Sequence, residues 1–252
     1  MASRLAPDHI TMNPRISFYC QYPHKFLVRL FEKAAGRPSS HFRASSLAAS
    51  MPDSPVIIEA GASRGMDTVE LAAIWPQGRV FAFEPEPVSF AALVSAAGHL
   101  PNVECVPLAL SSSTGRAAFH VSHIPGNSAS ADASSLLPPE EVRKMWPNMQ
   151  FDHTLEVETI TLSEFLRRRD IPRVDFMWLD MQGMEIECLQ ASSSVMHRVD
   201  RVYCEVFLRP LYARAPLYRE AKKIMHELGF KVSQEYLRPV SGDVLFVRRG
   251  IR

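Results

Sequence analysis

Val56-Ile57-Ile58-Glu59-Ala60-Gly61-Ala62-Ser63-Arg64-Gly65-Met66-Asp67-Thr68 decides the fold. Val56-Ile57-Ile58 reads as a short buried strand, the two glycines as a turn, and Gly65 to Trp75 as a helix closed by Pro76-Gln77-Gly78. A strand that runs through a glycine turn into a helix presents free N–H groups at the carboxyl end of a sheet, where they can hold an anion or a carboxylate. Two nucleotide-binding patterns compete here, and neither fits. The dinucleotide fingerprint needs G-x-G-x-x-G, but Ser63 stands two places after Gly61 and no third glycine follows Gly65. The Walker A pattern fails for want of G-K-[ST]. What remains is acidic-x-G-x-x-x-G.

Outward from this turn, apolar runs alternate with amphipathic ones. Arg79 to Phe83 reads as the second strand and Val88 to Ala97 as a helix. Val103 to Leu110 is the third strand, and Thr161 to Arg169 a short helix. Val174 to Leu179 is the fourth strand, followed by a helix over Met184 to Ala191, and Arg201 to Phe207 is the fifth. Leu217 to Leu228 is a helix that Gly229 ends. Phe230 to Tyr236 and Val244 to Arg248 are late strands spaced to pair as an antiparallel edge hairpin. Strands interleaved with helices predict a doubly wound, largely parallel sheet covered on both faces. Between about residues 117 and 160 the rhythm breaks, and His120, His123, Ser134, Ser135, Pro138, Pro139, Trp146 and His153 crowd a stretch that reads as an irregular functional insertion.

Residues 1–53 read as an N-terminal arm ahead of a domain at 54–252. The arm holds a helix from Phe18 to Ala35, ended by Gly36-Arg37-Pro38, and a Ser/Ala/Pro-rich linker from Arg37 to Pro55. Its aromatic residues, Phe18, Tyr19, Tyr22, Phe26 and Phe31, suit packing, a roof over an acceptor pocket, or a homodimer contact. With 28 basic against 27 acidic residues the chain carries +1, which offers no broad electrostatic footprint for nucleic acid or an anionic membrane. No run approaches the roughly 20 apolar residues of a membrane span, and residues 1–15 lack a signal-peptide core. Cys20, Cys105, Cys188 and Cys204 form no CxxC pair, so reduced thiols in a cytoplasmic protein are expected.

Two carboxylates close strands. Glu84 ends the second strand, where a doubly wound sheet places an acid that accepts hydrogen bonds from both ribose hydroxyls. Asp180, in Asp175-Phe176-Met177-Trp178-Leu179-Asp180-Met181-Gln182-Gly183-Met184-Glu185, ends the fourth, where ligand-contacting groups sit. Glu185 falls in the first turn of the following helix, where an acid complements the dipole. Asp180, Glu185 and Glu205 could supply oxygen ligands, but carboxylates scattered in this way are no metal signature, and no metal site is assigned.

Taken in order, Glu59-x-Gly61-x-x-x-Gly65-x-x-Thr68, Phe83-Glu84-Pro85-x-Pro87, Ser134-Ser135-Leu136, Thr161-Leu162, Asp180-Met181-Gln182-Gly183-x-Glu185 and Glu205-Val206 resemble the FkbM family of S-adenosylmethionine-dependent methyltransferases, over about residues 54–247. The resemblance implies a seven-stranded, Rossmann-like class I methyltransferase fold and transfer of a methyl group, commonly to a hydroxyl. The family's first motif more often opens with Asp and has Asn where this chain has Ser63; both departures keep hydrogen-bonding character. By the resemblance, Glu59, Gly61, Ser63 and Gly65 surround the methionine part of S-adenosylmethionine, with Thr68 supporting the loop. Glu84 holds the ribose, Ala109 and Leu110 lie near the adenine with Pro85 on its other face, and Ser134 and Ser135 reach the cofactor or acceptor. Asp180 sits between methionine moiety and acceptor as base or orienter. His123 and His153 are alternative bases, and Glu205 could face the same pocket. The expected reaction is in-line methyl transfer to a hydroxyl of a small molecule, a sugar or secondary metabolite, with alignment as the main lever. Competing readings are an N-methyltransferase on the same fold, a cofactor-fold interaction protein without catalysis, and an NAD-type oxidoreductase, which the glycine spacing disfavours.

Overall fold

Val56–Ala60 forms β1 and sits inside the main sheet, because four of its five residues are buried and its apolar run can face a helix layer on either side. The computed structural model describes residues 42–125 and 132–251. The chain divides into two units, Met1–Phe42 and Arg43–Arg252, and the expected helix Phe18–Ala35, with its dimer contact, lies outside the described residues. After β1, the strands are β2 Arg79–Phe83, β3 Val103–Val106, β4 Ala109–Leu110, β5 Gly115–His123, β6 Gln150–Ile160, β7 Phe176–Leu179, β8 Arg201–Phe207, β9 Phe230–Leu237 and β10 Ser241–Arg248. The α-helices are α1 Met66–Ile74, α2 Pro87–Ala97, α3 Val142–Met145, α4 Leu162–Arg168, α5 Glu185–Ala191 and α6 Tyr218–Glu227.

Seven strands make one sheet in the order β3-β2-β1-β7-β8-β10-β9. β10 alone runs against its neighbours, β8 and β9. The chain moves outward from β1 to β3 on one side, then returns to lay β7 on the other side of β1. The strand order therefore reverses between β1 and β7, and the crevice outside their carboxyl ends is where an open α/β sheet binds ligands. Beneath it, Ile58, Phe81, Phe83, Met177 and Leu179 pack with α4, α5 and α6. Phe165 of α4 meets Phe81 and Phe83 edge-on, with centroids 5.2 and 4.7 Å apart. Ala62 and Ala82 pack with Leu93 and Ala97 of α2.

Three local expectations are corrected and one holds. The third strand is not continuous from Val103 to Leu110: Pro107 cannot donate to a ladder, and β4 leaves for a second sheet of order β4-β6-β5. The stretch 117–160 is not irregular throughout, since β5 and β6 form a long antiparallel pair. Phe119 and Val121 on one strand, and Leu155 and Val157 on the other, alternate with charged or polar residues, and such sparse alternation is a weak strand signal. The late hairpin stands at the edge of the sheet as expected, an antiparallel pair with β9 outermost. β10 inserts between β8 and β9, because the crossover through α6 carries β9 one place too far and leaves a gap to fill. The expected linker holds a 3-10 helix at Ala44–Ser50, with Ala44 and Leu47 buried and the Arg201 guanidinium donating to the Ser50 carbonyl at 2.8 Å.

Candidate cofactor and acceptor site

The loop after β1 folds back over the end of β2. Gly61 and Ala62 N–H both donate to the Phe83 carbonyl, at 3.1 and 3.0 Å, and Gly65 N–H donates to the Ala62 carbonyl at 2.8 Å. Gly61 lies in the left-handed region (φ 83°), and a Cβ there would fall 1.9 Å from the Asp180 carbonyl oxygen. Only glycine lets the β1 and β7 ends approach this closely. Ser63 adopts a positive φ of 47° as well. Glu59 lies below the loop, 2% exposed, and accepts the Thr68 hydroxyl at 2.6 Å. Burial, with Asp67 nearby, pushes its carboxyl well above the usual range. Glu59 and Thr68 thus brace the turn from underneath.

Glu84 meets this loop. It is 5% exposed; one carboxyl oxygen accepts the Ser63 N–H at 2.8 Å and the other the Glu86 N–H at 2.9 Å. A carboxylate offers about four lone-pair sites, so each oxygen keeps one for a further donor. Burial raises the Glu84 pKa to about 7; the two amides oppose this, and the Glu86 and Asp132 carboxylates add to it. Asp132 itself accepts the Ser63 hydroxyl at 3.0 Å. Pro85 is half-buried and leads into Glu86, whose side chain caps α2 by accepting the Val88 and Ser89 N–H groups. Ala109 and Leu110 are buried just past the end of β3.

Asp180 stands at the end of β7 with its N–H on the Ala60 carbonyl at 2.9 Å. Its side chain is open to solvent on one side and crowded by protein on the other. The resulting loss of hydration, with Asp243, Asp67 and Asp132 around it, raises its pKa to about 7 against the pull of the Gln182 amide. Gln182 Nε2 lies 2.6 Å from Asp180 Oδ1 and 3.2 Å from Glu205 Oε2, so one amide bridges two carboxyls. Burial, then Asp180 and Glu185, raise Glu205 to about 9. The buried Tyr212 hydroxyl lies 3.0 Å from Gln182 Oε1 and 2.8 Å from the Ala133 carbonyl.

Glu185 accepts the Met181 N–H at 2.7 Å and the Gly183 N–H at 2.9 Å, and so shapes the turn that carries Asp180 and Gln182. It is buried, and burial pushes its carboxyl up to about 8. The folded protein thus binds this proton more tightly than the unfolded chain does. Its stabilising contribution is full below the ordinary value of 4.5 and is lost as pH rises toward 8. Urea unfolding should therefore show a stability difference between wild type and Glu185→Gln that falls by about 1.4 kcal/mol per pH unit across that window. A pH-independent difference would mean that the carboxyl ionises normally.

The other predicted residues are engaged elsewhere. Ser134 Oγ accepts the Ser122 N–H at 2.9 Å, and buried Ser135 donates its hydroxyl to the Gln182 carbonyl at 2.8 Å while accepting the Leu137 N–H at 3.0 Å. Both serines therefore hold the insertion's inner loop, Ser135 directly against the Gln182 turn. His123 pairs with Asp152 at 3.3 Å on the β5–β6 ribbon and His153 is exposed on β6; neither is hydrogen-bonded to Asp180 or Glu205. Gln182, Tyr212 and Asp132 are the members that sequence reading missed. Gln182 sat in a quoted motif without a role, and Tyr212 follows Arg209-Pro210-Leu211, a stretch with no periodic signal.

The sheet order, the glycine turn at the end of β1 and the strand-end acid folded against it define a class I S-adenosylmethionine-dependent methyltransferase. The sequence matches the Methyltransferase FkbM domain over residues 59–232, and the chain belongs to that family. It is similar to 2-O-methyltransferase NoeI of Sinorhizobium fredii, with 27% identity over 224 residues covering 86% of this chain and 90% of the relative. It is also similar to methyltransferase sdnD of Sordaria araneosa, with 29% identity over 160 residues, 56% of this chain and 62% of the relative. Hexuronic acid methyltransferase AglP of Haloferax volcanii shares 23% identity over 167 residues, 63% of this chain and 62% of the relative. S-adenosylmethionine is the cofactor. The residues present fit it, since the buried Glu84 carboxylate keeps free acceptor sites beside the Gly61–Gly65 loop. No helix among the described residues is long and apolar enough to cross a membrane.

Proposed function

We propose that this methyltransferase acts on a hydroxyl of a small molecule, a sugar or secondary metabolite, in the cytoplasm. The observation that carries the reading is Asp180: a strand-end carboxylate, open to solvent and held in place across the Gly61 turn. The relatives named as a 2-O-methyltransferase and a hexuronic acid methyltransferase support an oxygen acceptor. A bound sulfonium supplies an already reactive methyl group. Glu84 would hold the ribose hydroxyls, Gly61, Ser63 and Gly65 the amino-acid part, and Ala109, Leu110 and Pro85 the adenine. What is left for the protein is to align the acceptor oxygen and to take its proton. S-adenosylmethionine would supply the methyl group to the acceptor oxygen, and Asp180 would take the proton that the hydroxyl gives up.

Two measurements test this. Metabolite pools incubated with the enzyme and methyl-labelled S-adenosylmethionine should yield labelled methyl ethers. Label recovered only on nitrogen, or only on RNA or protein, would overturn the reading. Calorimetry tests the ribose assignment. Hydrogen bonds to a charged acceptor exceed neutral ones by about 1–1.5 kcal/mol, and an amide at residue 84 would turn a donor toward the Ser63 or Glu86 N–H. Glu84→Gln should therefore bind the cofactor about 10- to 100-fold more weakly. Wild-type affinity should fall as pH drops below about 7, where Glu84 protonates, and the variant should lose that dependence. Equal affinity in the two proteins would place the ribose elsewhere.

A further inference from the structure

The contacts of Gln182 do not close if protons are counted. The Tyr212 hydroxyl has one proton and faces two oxygens, the Ala133 carbonyl at 2.8 Å and Gln182 Oε1 at 3.0 Å. The carbonyl can only accept, so with the amide NH2 toward the carboxyls, one proton must serve both oxygens. The opposite orientation resolves this. The NH2 then donates to the Tyr212 oxygen, Tyr212 donates to Ala133, and Oε1 faces Asp180 and Glu205. That arrangement needs a proton on the carboxyl it meets. The 2.6 Å separation from Asp180 Oδ1 is short for N–H···O and ordinary for O–H···O. Heavy-atom positions serve both orientations, and the protons decide between them.

We infer that Gln182 is a positioning residue whose side-chain amide turns over as Asp180 takes up a proton, with Tyr212 and the Ala133 carbonyl completing its hydrogen bonding in each orientation. Before transfer, the NH2 holds the ionised Asp180 as proton acceptor. After transfer, the amide oxygen receives the new O–H of Asp180, and the freed NH2 passes to Tyr212. Only the acceptor's proton moves, from the hydroxyl to Asp180, and release to solvent resets the pair.

The frame for this motion is rigid. Gln182 has a left-handed backbone (φ 54°), its carbonyl is held by Ser135, and both flanking N–H groups, of Met181 and Gly183, are held by Glu185. The side-chain amide is the part left free to rotate. The groups bearing on the carboxyl pair are themselves carboxyls: Asp67 on α1, Asp132 in the insertion, Glu185 on α5 and Asp243 on β10, with the Ser241 hydroxyl on Glu205. This crowding raises both carboxyls above the usual carboxylate range, Glu205 further than Asp180, so that Asp180 is the first of the pair to ionise as pH rises. The inference rests on the reading of Asp180 as the proton's destination, but it can be tested without any acceptor.

Carbon-13 NMR of the full chain labelled at Asp and Glu carboxyls, with S-adenosylhomocysteine bound, follows the titration directly; Asp180→Asn identifies the signal. Gln182→Met removes a charge-assisted hydrogen bond to ionised Asp180 against a weaker neutral one to the protonated form. It should raise the Asp180 midpoint by about one pH unit, tenfold in proton affinity. Tyr212→Phe removes the partner of the turned amide and only a shared proton from the other state. It should lower the midpoint by about half a unit, threefold in proton affinity. In wild type, the Gln182 side-chain amide resonance should shift with the Asp180 midpoint. Cofactor affinity, read by calorimetry, should hold in both variants. Midpoints that stay put or move in the same direction, or an amide resonance indifferent to pH, would overturn the inference. Should Gln182→Met fail to fold, the near-isosteric Tyr212→Phe alone decides by the sign of its shift. Failure to find a hydroxyl acceptor would sink the proposed reaction and leave this titration result standing.

Discussion

Gly61→Ala should abolish cofactor binding and destabilise the whole domain. The added methyl group would sit 1.9 Å from the Asp180 carbonyl oxygen and 2.8 Å from its carbonyl carbon. Both atoms are backbone directly after β7, which pairs with β1, so no side-chain rotation relieves the clash. The residue also needs φ near 83°, which costs an L-residue about 1–2 kcal/mol, and overpacking adds about 1–3 kcal/mol. At roughly 2–4 °C per kcal/mol for a domain of this size, the Tm should fall by about 4–20 °C. Relief of the clash requires β1 and β7 to part at their carboxyl ends, which pulls the loop off Phe83 and Glu84 and opens the cofactor crevice. Gly65→Ala is the control. It shares the dihedral penalty, but its Cβ would meet the flexible end of Leu93 at 2.8 Å, which can shift. A Gly61→Ala protein that melts and binds S-adenosylhomocysteine like the Gly65→Ala protein would refute the close approach of the two strands.

Asp180→Asn should lower turnover about 10²- to 10⁴-fold, the range for loss of a positioned acid–base group, while cofactor affinity stays near wild type. The substitution keeps size and shape, so alignment survives, and what goes is the proton acceptor. In wild type the rate should rise with pH through about 7 as Asp180 ionises, and the variant should lose that limb. Single-turnover rates with the acceptor found by labelled-donor screening, beside calorimetry with S-adenosylhomocysteine, separate chemistry from binding. Equal losses in rate and affinity would move Asp180 into the cofactor shell and leave the acceptor's proton to solvent.

The parts legible in the sequence share one property: their signal is local. Val56 to Ala60 and Arg79 to Phe83 are short runs, apolar but for Glu59 and the opening Arg79, which suit a sheet buried on both faces. Gly61, Glu84 and Asp180 each sit one residue past such a run, so the rule for strand ends placed them before any coordinates did. The β5–β6 ribbon was not legible, because it is half exposed and its apolar residues are diluted by charges. The roles expected of Ser134, Ser135, His123 and His153 turned on where that ribbon lies, which no periodicity reports.

The wiring of the site is of the second kind. Ser63 meets Asp132, Ser135 meets Gln182, and Gln182 meets both Glu205 and Tyr212, all across long stretches of chain. By itself the sequence determined the strand–helix alternation of the main sheet, the glycine turn, and which carboxylates would stand at the carboxyl ends, because backbone propensity and apolar run length act between neighbours in the chain. Only the tertiary structure decided how those carboxylates titrate and which amide and hydroxyl hold them. Hydration is stripped from a side chain, and a proton is shared, by whatever the fold brings within a few ångströms, and at Asp180 most of that comes from far along the chain.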